Sequence, residues 1–563
     1  MRIQGKRIIF IIIFFSLTIS SVFAQTLPDS VIKKIDGLFS KWNNPNTPGC
    51  VIGIVRNDSL IYAKGYGLAN LEYTIPNTPE TIFHMASVSK QFTGYAIVLL
   101  AKQGKLSLDD DVRKHLTWFP DLKDKITIRQ LLNHTSGIRD QWQLLAISGT
   151  RLDDVITQAH IVKLLGQQRK LNFKPGEQSS YSNSGYTMLA EVVKEVSGQT
   201  LRQFADSAIF KPLGMNNTHF HDNYTEVVKN RSYSYGRSGS NGFTNSVLSY
   251  SNAGATSLFT SVNDMARWIA NFYLPKVGTL SDIAQLTQKG KLNTGRELSY
   301  ASGIVVDQYK GWKQYLHGGG DAGYRTYVTV FPDRRMGFMV FSNLSDFNPY
   351  AKVYELADVF IKDTAEKGNI PITAAVEDSQ AILHDSLNIK RFAGNYISDG
   401  GAQFDFTLRD RKLYWERNGR SDVLVKTAKD TFSVARTPEV KFVFGTQGRG
   451  DTVVKQYWPE GDRILEKYTA VSAQSDKQLQ SYAGTYYCPE LDCKYAIILK
   501  NGSLTLTHNK YEDTPLKLVG KNNLVNDFWW MNHLRVVRNS ENRITGFDVN
   551  AGRIMHLRFN KID

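Results

Sequence analysis

Ser87-Val88-Ser89-Lys90 opens a run in which Phe92, Ala96 and Leu99 recur at helical spacing up to Gly104. Positions three apart share a helix face, so the Lys90 amine can reach the Ser87 hydroxyl. A serine hydroxyl is a weak nucleophile until an adjacent base takes its proton. A helix N-terminus adds unpaired N–H groups that favour a developing oxyanion. The chemistry on offer is nucleophilic catalysis, although a capped, solvated helix start can be built from the same residues.

Two further segments could complete such a site. Tyr181-Ser182-Asn183 follows Pro175-Gly176 and precedes a helix carrying Met188, Leu189, Val192, Val193 and Val196 that ends at Ser197-Gly198. A phenol keeps its proton until about pH 10, unless a cation such as Lys90 favours the phenolate. Asn183 has both a donor and an acceptor, enough to orient Lys90 and bind a substrate carbonyl. His317-Gly318-Gly319-Gly320 comes before Gly323-Tyr324 and a strand-like run from Arg325 to Phe331. Glycines let a backbone approach a ligand closely. An edge strand there could offer an N–H to a substrate oxygen while His317 donates a hydrogen bond. Taken singly, each segment is an ordinary loop or turn.

Together, in this order and approximate spacing, the three segments resemble the active-site boxes of the class C β-lactamase and penicillin-binding serine hydrolase family. The flanks Leu131-Leu132-Asn133-His134-Thr135-Ser136-Gly137-Ile138, Pro212-Leu213-Gly214-Met215 and Phe331-Pro332 agree, and the resemblance covers about residues 30–365. It implies that Ser87 is acylated by an amide or ester, with Lys90 and Tyr181 sharing the proton transfers and the acylation base left open between them. By position, the N–H groups of Ser87 and Gly320 would form the oxyanion hole. Asn183, His317, Gly318, Gly319 and Gly320 would contact the substrate, with His134 a structural hydrogen-bonder and no metal or organic cofactor required.

The third box is His-x-Gly where class C β-lactamases carry Lys-Thr-Gly. This form resembles D-amino-acid peptidases, DD-carboxypeptidases and esterases of the family. A neutral His317 would hold a substrate carboxylate less firmly than lysine, with partial charging near its ordinary pKa of about 6.5. The expected substrate is a small amide or ester, above all a D-amino-acid-containing peptide. A β-lactamase and a non-catalytic penicillin- or peptide-binding protein are the alternatives.

These residues need a scaffold, and the pattern from 28 to 365 supplies helices and strands. Asp29 to Trp42 is amphipathic, Cys50–Val55 and Leu60–Tyr66 read as strands paired around Asn57-Asp58, Gly337–Phe341 as a buried strand and Tyr350–Lys362 as a closing helix. The expected class is α+β: a β-lactamase/transpeptidase-like domain, with an antiparallel sheet flanked by helices and a helical subdomain, followed by two small antiparallel β-barrels. Arg391-Phe392-Ala393-Gly394-Asn395-Tyr396 recurs 90 positions on as Ser481-Tyr482-Ala483-Gly484-Thr485-Tyr486, each copy followed by alternating strands. Closure into barrels would remove their free edges. These two domains resemble the lipocalin-like modules that follow the catalytic domain in some D-aminopeptidases, where a module can approach the active-site mouth. Phe528-Trp529-Trp530 could form a ligand surface, but packed barrel core is the favoured reading, because large aromatics mostly serve as buried mass. The expected division is 1–24 leader, 26–365 hydrolase domain, 366–385 linker, 386–472 first barrel and 476–563 second barrel.

Composition excludes other classes. With 563 residues, 42% hydrophobic and 21% charged, the chain is folded and not disordered. The net charge of +15 is dispersed, without the basic stripe or reader motif of a nucleic-acid binder. Arg2, Lys6 and Arg7 precede an apolar stretch from Ile8 to Ile19 and then Val22-Phe23-Ala24, the pattern of a cleaved secretory leader. That stretch is shorter than the roughly 20 residues needed to span a bilayer. The expectation is a secreted or periplasmic protein without a stable membrane anchor, acting on a small molecule or short peptide. The sequence leaves its oligomeric state open. Three cysteines cannot scaffold the fold; Cys50 reads as a buried thiol, while Cys488 and Cys493 are near enough for a bridge that spacing alone cannot assign. Asp109-Asp110-Asp111 lacks the glycine and glutamate of a calcium loop. His219-Phe220-His221 could set two ligands on one side of a strand, with no complete zinc set expected beside them.

Overall fold

The computed structural model describes residues 27–239, 242–363 and 389–563, apart from 418–419, 436, 448–450, 458–461 and 471–474. The expected leader and linker lie outside the described residues.

The run Cys50–Arg56 is apolar on both faces because it forms an inner strand. It pairs with Ser59–Tyr66 on one side and with the wholly buried Met336–Ser342 on the other. Asn57 makes the hairpin turn with φ 56°, a conformation asparagine tolerates. The six-stranded antiparallel sheet runs Val305–Tyr309, Trp312–Asp321, Tyr324–Phe331, Met336–Ser342, Cys50–Arg56, Ser59–Tyr66. The terminal helices Asp29–Phe39 and Pro349–Ala357 share one apolar cluster with this sheet. Val262–Asn271 and the helix Lys90–Lys102 belong to a second cluster with the helical region.

Two closed eight-stranded barrels follow, from Gly394–Ser398 to Arg463–Tyr468 and from Gly484–Cys488 to Ile554–Lys561. The repeat has a physical basis. In the first copy the Tyr396 hydroxyl donates to Phe392 O at 3.0 Å, and in the second Tyr486 donates to Tyr482 O at 2.6 Å. Gly394 and Gly484 both open their strands at positive φ, 140° and 143°, beneath a lysine of the closing strand, Lys467 or Lys561. Each lysine donates to a carbonyl of its own repeat segment. Cys50, Cys488 and Cys493 are buried free thiols, the last two directly opposed across paired strands. Among the described residues, no helix is long and apolar enough to cross a membrane.

The two barrels stand in different relations to the N-terminal domain. The interior of the first forms its own cluster, and it reaches the N-terminal domain through the Arg296–Asp462 ion pair at 2.6 Å. The interior of the second is continuous with the apolar cluster of the helical region. At that junction the buried Arg139 guanidinium meets Glu490 at 2.7 Å and donates to the carbonyls of Met555 and His556 at 3.1 and 3.0 Å. Tyr495 and Tyr511 donate to Ile147 O and Ala146 O, at the end of the helix Gln141–Ile147. Removing one member of a buried pair strands the other charge, at a typical cost of about 3–5 kcal/mol. Arg139→Ala is therefore expected to lower stability by about that amount in denaturant titration. A loss below about 1 kcal/mol would show that the contact does not hold the junction.

The aromatic cluster departs from expectation. Phe528, Trp529 and Trp530 lie in the loop between Asn523–Val525 and His533–Arg538, outside the barrel interior. Phe528 and Trp530 stack at 4.6 Å, whereas Trp529 is 51% exposed. Phe528 and Trp530 lie against Tyr511 of the same barrel, at 6.1 and 5.0 Å, and the loop meets the N-terminal domain where Gln143 Nε2 donates to Trp529 O at 3.5 Å.

Candidate active site

The Ser87 segment begins with a 3-10 turn, Ala86–Ser89, and continues as the α-helix Lys90–Lys102. Ala86 sits at φ 48°, an uncommon conformation for a residue with a side chain, immediately before Ser87. Ser89 pins the turn: its hydroxyl donates to Ala86 O at 2.5 Å and accepts from Leu258 N at 3.0 Å. The third-box strand packs against the same turn. Thr326 donates to Met85 O at 2.9 Å, and a Cβ added to Gly319 would lie 2.4 Å from that oxygen. Glycine at 319 is thus what lets the two segments touch.

Ser87 is half-buried and Lys90 fully buried. Lys90 Nζ lies 3.0 Å from Ser87 Oγ, 2.9 Å from Asn183 Oδ1 and 2.6 Å from Ala255 O. Burial and the nearby Arg553 guanidinium push the amine down to about 7, against the opposing pull of Asp321 and Asp140. Near neutrality a large share of Lys90 is therefore uncharged. A neutral amine has two hydrogens, which the two carbonyl acceptors can take, leaving its lone pair for the Ser87 hydroxyl.

Tyr181 arrives beside this pair without bonding to it. Lys90 Nζ is 4.9 Å from the centre of its ring, and its hydroxyl makes no hydrogen bond of ordinary geometry. Burial raises its pKa, despite the lowering effects of the Ser87 side chain and Arg553. Burial thus works against the phenolate that Lys90 could favour, and Tyr181 holds its proton beside an amine that is partly uncharged near neutrality.

His317 also differs from expectation. Its Nδ1 is 2.6 Å from Gly318 O, which can only accept, so Nδ1 carries the proton. Nε2 then accepts from the Tyr300 hydroxyl at 2.9 Å. Burial and Lys90 push the imidazole down to about 3. It stays neutral at physiological pH, and both nitrogens have partners inside the protein. Gly318, Gly319 and Gly320 continue along the same strand, paired with Tyr327, Thr326 and Arg325, and Gly320 is exposed. His134 holds the second box, its Nδ1 accepting from Ser182 N at 3.2 Å.

Four residues of the site escape the motif reading. Asp140 caps the helix Gln141–Ile147 through Trp142 N and accepts from both Asn183 N and Asn183 Nδ2 at 2.8 Å. Asn183 is thereby oriented with its oxygen toward Lys90. Asp321 ends the third-box strand 3.0 Å from His84 Nε2; burial pushes its pKa up, but the His84 and Thr256 hydrogen bonds hold it below the usual value. Tyr300 serves His317. Arg553 comes from the second barrel, in the turn between Ile544–Ala551 and Ile554–Lys561. Gln143 and Asn172 grip that turn: Gln143 Nε2 donates to Ala551 O at 2.9 Å and Asn172 Nδ2 to Arg553 O at 2.9 Å, while Arg553 N and Met555 N donate back at 2.6 and 2.7 Å. The Arg553 guanidinium sits 4.7 Å from the centre of the Tyr181 ring and 3.7 Å from Asp140.

A cleft of about 680 Å3 runs between the domains, lined by Asp140, Tyr250 and Asp321 on one side and by Trp529, Gly552 and Arg553 on the other. The second barrel forms one wall of this cleft, which borders the Ser87 site at Asp140 and Asp321.

Fold and site together define the β-lactamase/transpeptidase-like class, with a serine hydrolase type of active site. The Beta-lactamase family description matches residues 33–360, more than half of the chain, and the chain belongs to that family. It is similar to Penicillin-binding protein 4* of Bacillus subtilis (strain 168), 26% identical over 435 residues covering 74% of this chain and 95% of that protein. It is also similar to Protein flp of Staphylococcus aureus (strain MRSA252), 30% identical over 309 residues covering 53% of this chain and 60% of that one. Of solved structures, SurE with D-Leu superposes with a TM-score of 0.52 at 20% identity, over 78% of this chain and 99% of that one. D-amino acid amidase from Ochrobactrum anthropi SV3 gives 0.51 at 18%, over 59% and 98%. At these identities the two establish the fold.

Proposed function

We propose that the protein is an exported serine hydrolase that opens small amides or esters through an acyl-enzyme on Ser87, its substrate a short peptide containing a D-amino acid. The observation that carries this reading is the buried Lys90 amine, tied to two carbonyl acceptors and 3.0 Å from the Ser87 hydroxyl. In the proposed cycle neutral Lys90 takes the Ser87 proton as the oxygen attacks the substrate carbonyl. The N–H groups of Ser87 and Gly320 receive the oxyanion. Tyr181, kept protonated by burial, hands a proton to the leaving group and recovers one through Lys90. Water then repeats the sequence to release the acid.

Several features favour a peptide over a lactam. The neutral, doubly engaged His317 leaves the third box without the cation expected of a β-lactamase. At the cleft rim the Arg553 side chain is 45% exposed, whereas Asp153 is already paired with Arg151. The half-exposed Arg553 cation suits the carboxylate end of a short peptide. A solved structure of this fold is described as a D-amino acid amidase and another holds D-Leu. The Arg2–Ala24 segment supports export. A panel of D- and L-amino-acid amides, short-chain esters and nitrocefin tests the assignment. Turnover of D-amides well above L-amides and nitrocefin is expected, and a preference for nitrocefin would replace the reading with a β-lactamase.

Arg553 gives a separate prediction. Its positive charge helps keep Lys90 neutral, so Arg553→Ala should raise the Lys90 pKa and lower kcat/KM at neutral pH by up to about tenfold. The activity should return at higher pH, and Arg553→Lys should behave much like the parent. A pH–rate profile that does not move would remove the second barrel from the chemistry.

A further inference from the structure

Away from this cleft, His219-Phe220 forms a short strand paired with Leu258–Thr260. Phe220 is buried in the main apolar cluster, and His221 continues the pairing through its N–H to Ser257 O at 2.8 Å. Residues two apart on a strand share a side, and the two imidazole centres are 5.7 Å apart. His219 Nε2 and His221 Nδ1 are both buried and make no hydrogen bond. His221 is 1% exposed. One ring nitrogen of each histidine and a carboxylate oxygen of Glu226 lie within 4.8 Å of one another, His221 Nδ1 being 3.8 Å from Glu226 Oε2.

Buried polar atoms in a folded protein nearly always have a partner, and two orphaned imidazole nitrogens beside one carboxylate call for an occupant. Glu226 is held in place from behind: Arg202 donates to its two oxygens at 2.5 and 2.7 Å, and to Asp222 at 2.9 Å. Partners of this kind orient metal-ligating carboxylates. A cleft of about 410 Å3 lined by His219 and Glu226 gives entry from solvent.

We propose that His219, His221 and Glu226 form a binding site for a divalent first-row cation, zinc above all, with the remaining position open toward that cleft. Arg202 competes for the carboxylate, and Arg231 adds a second positive charge near His221. A cation that depended on oxygen ligands, such as Mg2+ or Ca2+, would find one shared carboxylate there. Two imidazoles select instead for zinc and its neighbours. The site would brace the fold at a distance from the chemistry. Leu258–Thr260 also pairs with Phe83–His84, which leads into the Ser87 turn.

The test is zinc titration of the chelator-treated full chain against a chromophoric zinc indicator, with thermal melting in parallel. The native chain is expected to take up one equivalent that binds at least tenfold more weakly in His219→Gln/His221→Gln. Zinc should raise the melting temperature of the native chain and leave that of the variant unchanged. Equal titration of both chains, or no uptake by the native one, overturns the proposal and leaves water to serve the two nitrogens. Should the double variant fail to fold, cobalt loading of the native chain decides. A strong visible spectrum that zinc abolishes supports the site, and the pale spectrum of hydrated cobalt contradicts it.

Discussion

Ser87→Ala is expected to cut kcat on D-amino-acid amides by about 10⁵- to 10⁶-fold, the scale on which a serine protease loses turnover without its nucleophile, with little change in substrate affinity. The fold should survive the change. The Ser87 side chain is half-buried, and Lys90 keeps Asn183 Oδ1 and Ala255 O as partners. Stability is expected within about 1 kcal/mol of the parent. A well-folded Ser87→Ala protein that kept more than a few per cent of its turnover would place the nucleophile elsewhere.

Lys90 should show the second-largest effect and carries a pH signature. With its amine held near 7, the rate of acylation should climb as pH rises through about 7, as the base loses its proton. Lys90→Met is expected to lower kcat/KM by about 10²- to 10⁴-fold, the usual contribution of a positioned base, and to flatten the profile between pH 6 and 8. Stability follows the same titration. The folded-state pKa lies below the ordinary 10.5, so between the two values the unfolded chain binds more protons than the native one. Native stability from this group should therefore rise with pH across that window, being lowest where Lys90 must be charged in its buried site. Lys90→Met should lack that rise. A parent profile without a limb near 7 would shift the base assignment to another group.

The parts of this site legible in the sequence are those fixed by local geometry. Ser87 and Lys90 are three residues apart at a helix start, and one turn brings them together whatever the rest of the chain does. Cys50–Arg56 and its hairpin partner are equally local, their pattern and turn residues deciding their state. The repeat around Tyr396 and Tyr486 was readable because each copy closes its own tyrosine-to-carbonyl bond four residues back. Arg553 and Asp140 were not readable: they are far apart in the chain, and neither has a local pattern that marks it as part of a catalytic site. Asp140 did carry a helix-capping signal before Gln141, but nothing tied that cap to Asn183. His317 sits where the third box places it, yet its role turns on Tyr300, whose approach depends on how the sheet edge packs. The aromatic run 528–530 shows the converse. Its composition suits a barrel core, yet it forms a loop in which Phe528 and Trp530 lie against Tyr511 and Trp529 lines the cleft. His219 and His221 were visible as a pair, but their convergence with Glu226 depends on the loop that returns after His221.

The most direct test of the account is the chemical identity of the acylated residue. The full chain is incubated with a reactive D-amino-acid ester or a β-lactam, stopped in acid during turnover and digested, and the adduct is located by mass spectrometry. The account requires a single acyl group on the peptide containing Ser87, absent from Ser87→Ala. An adduct at another residue, or turnover with no covalent species at any time point, would contradict it.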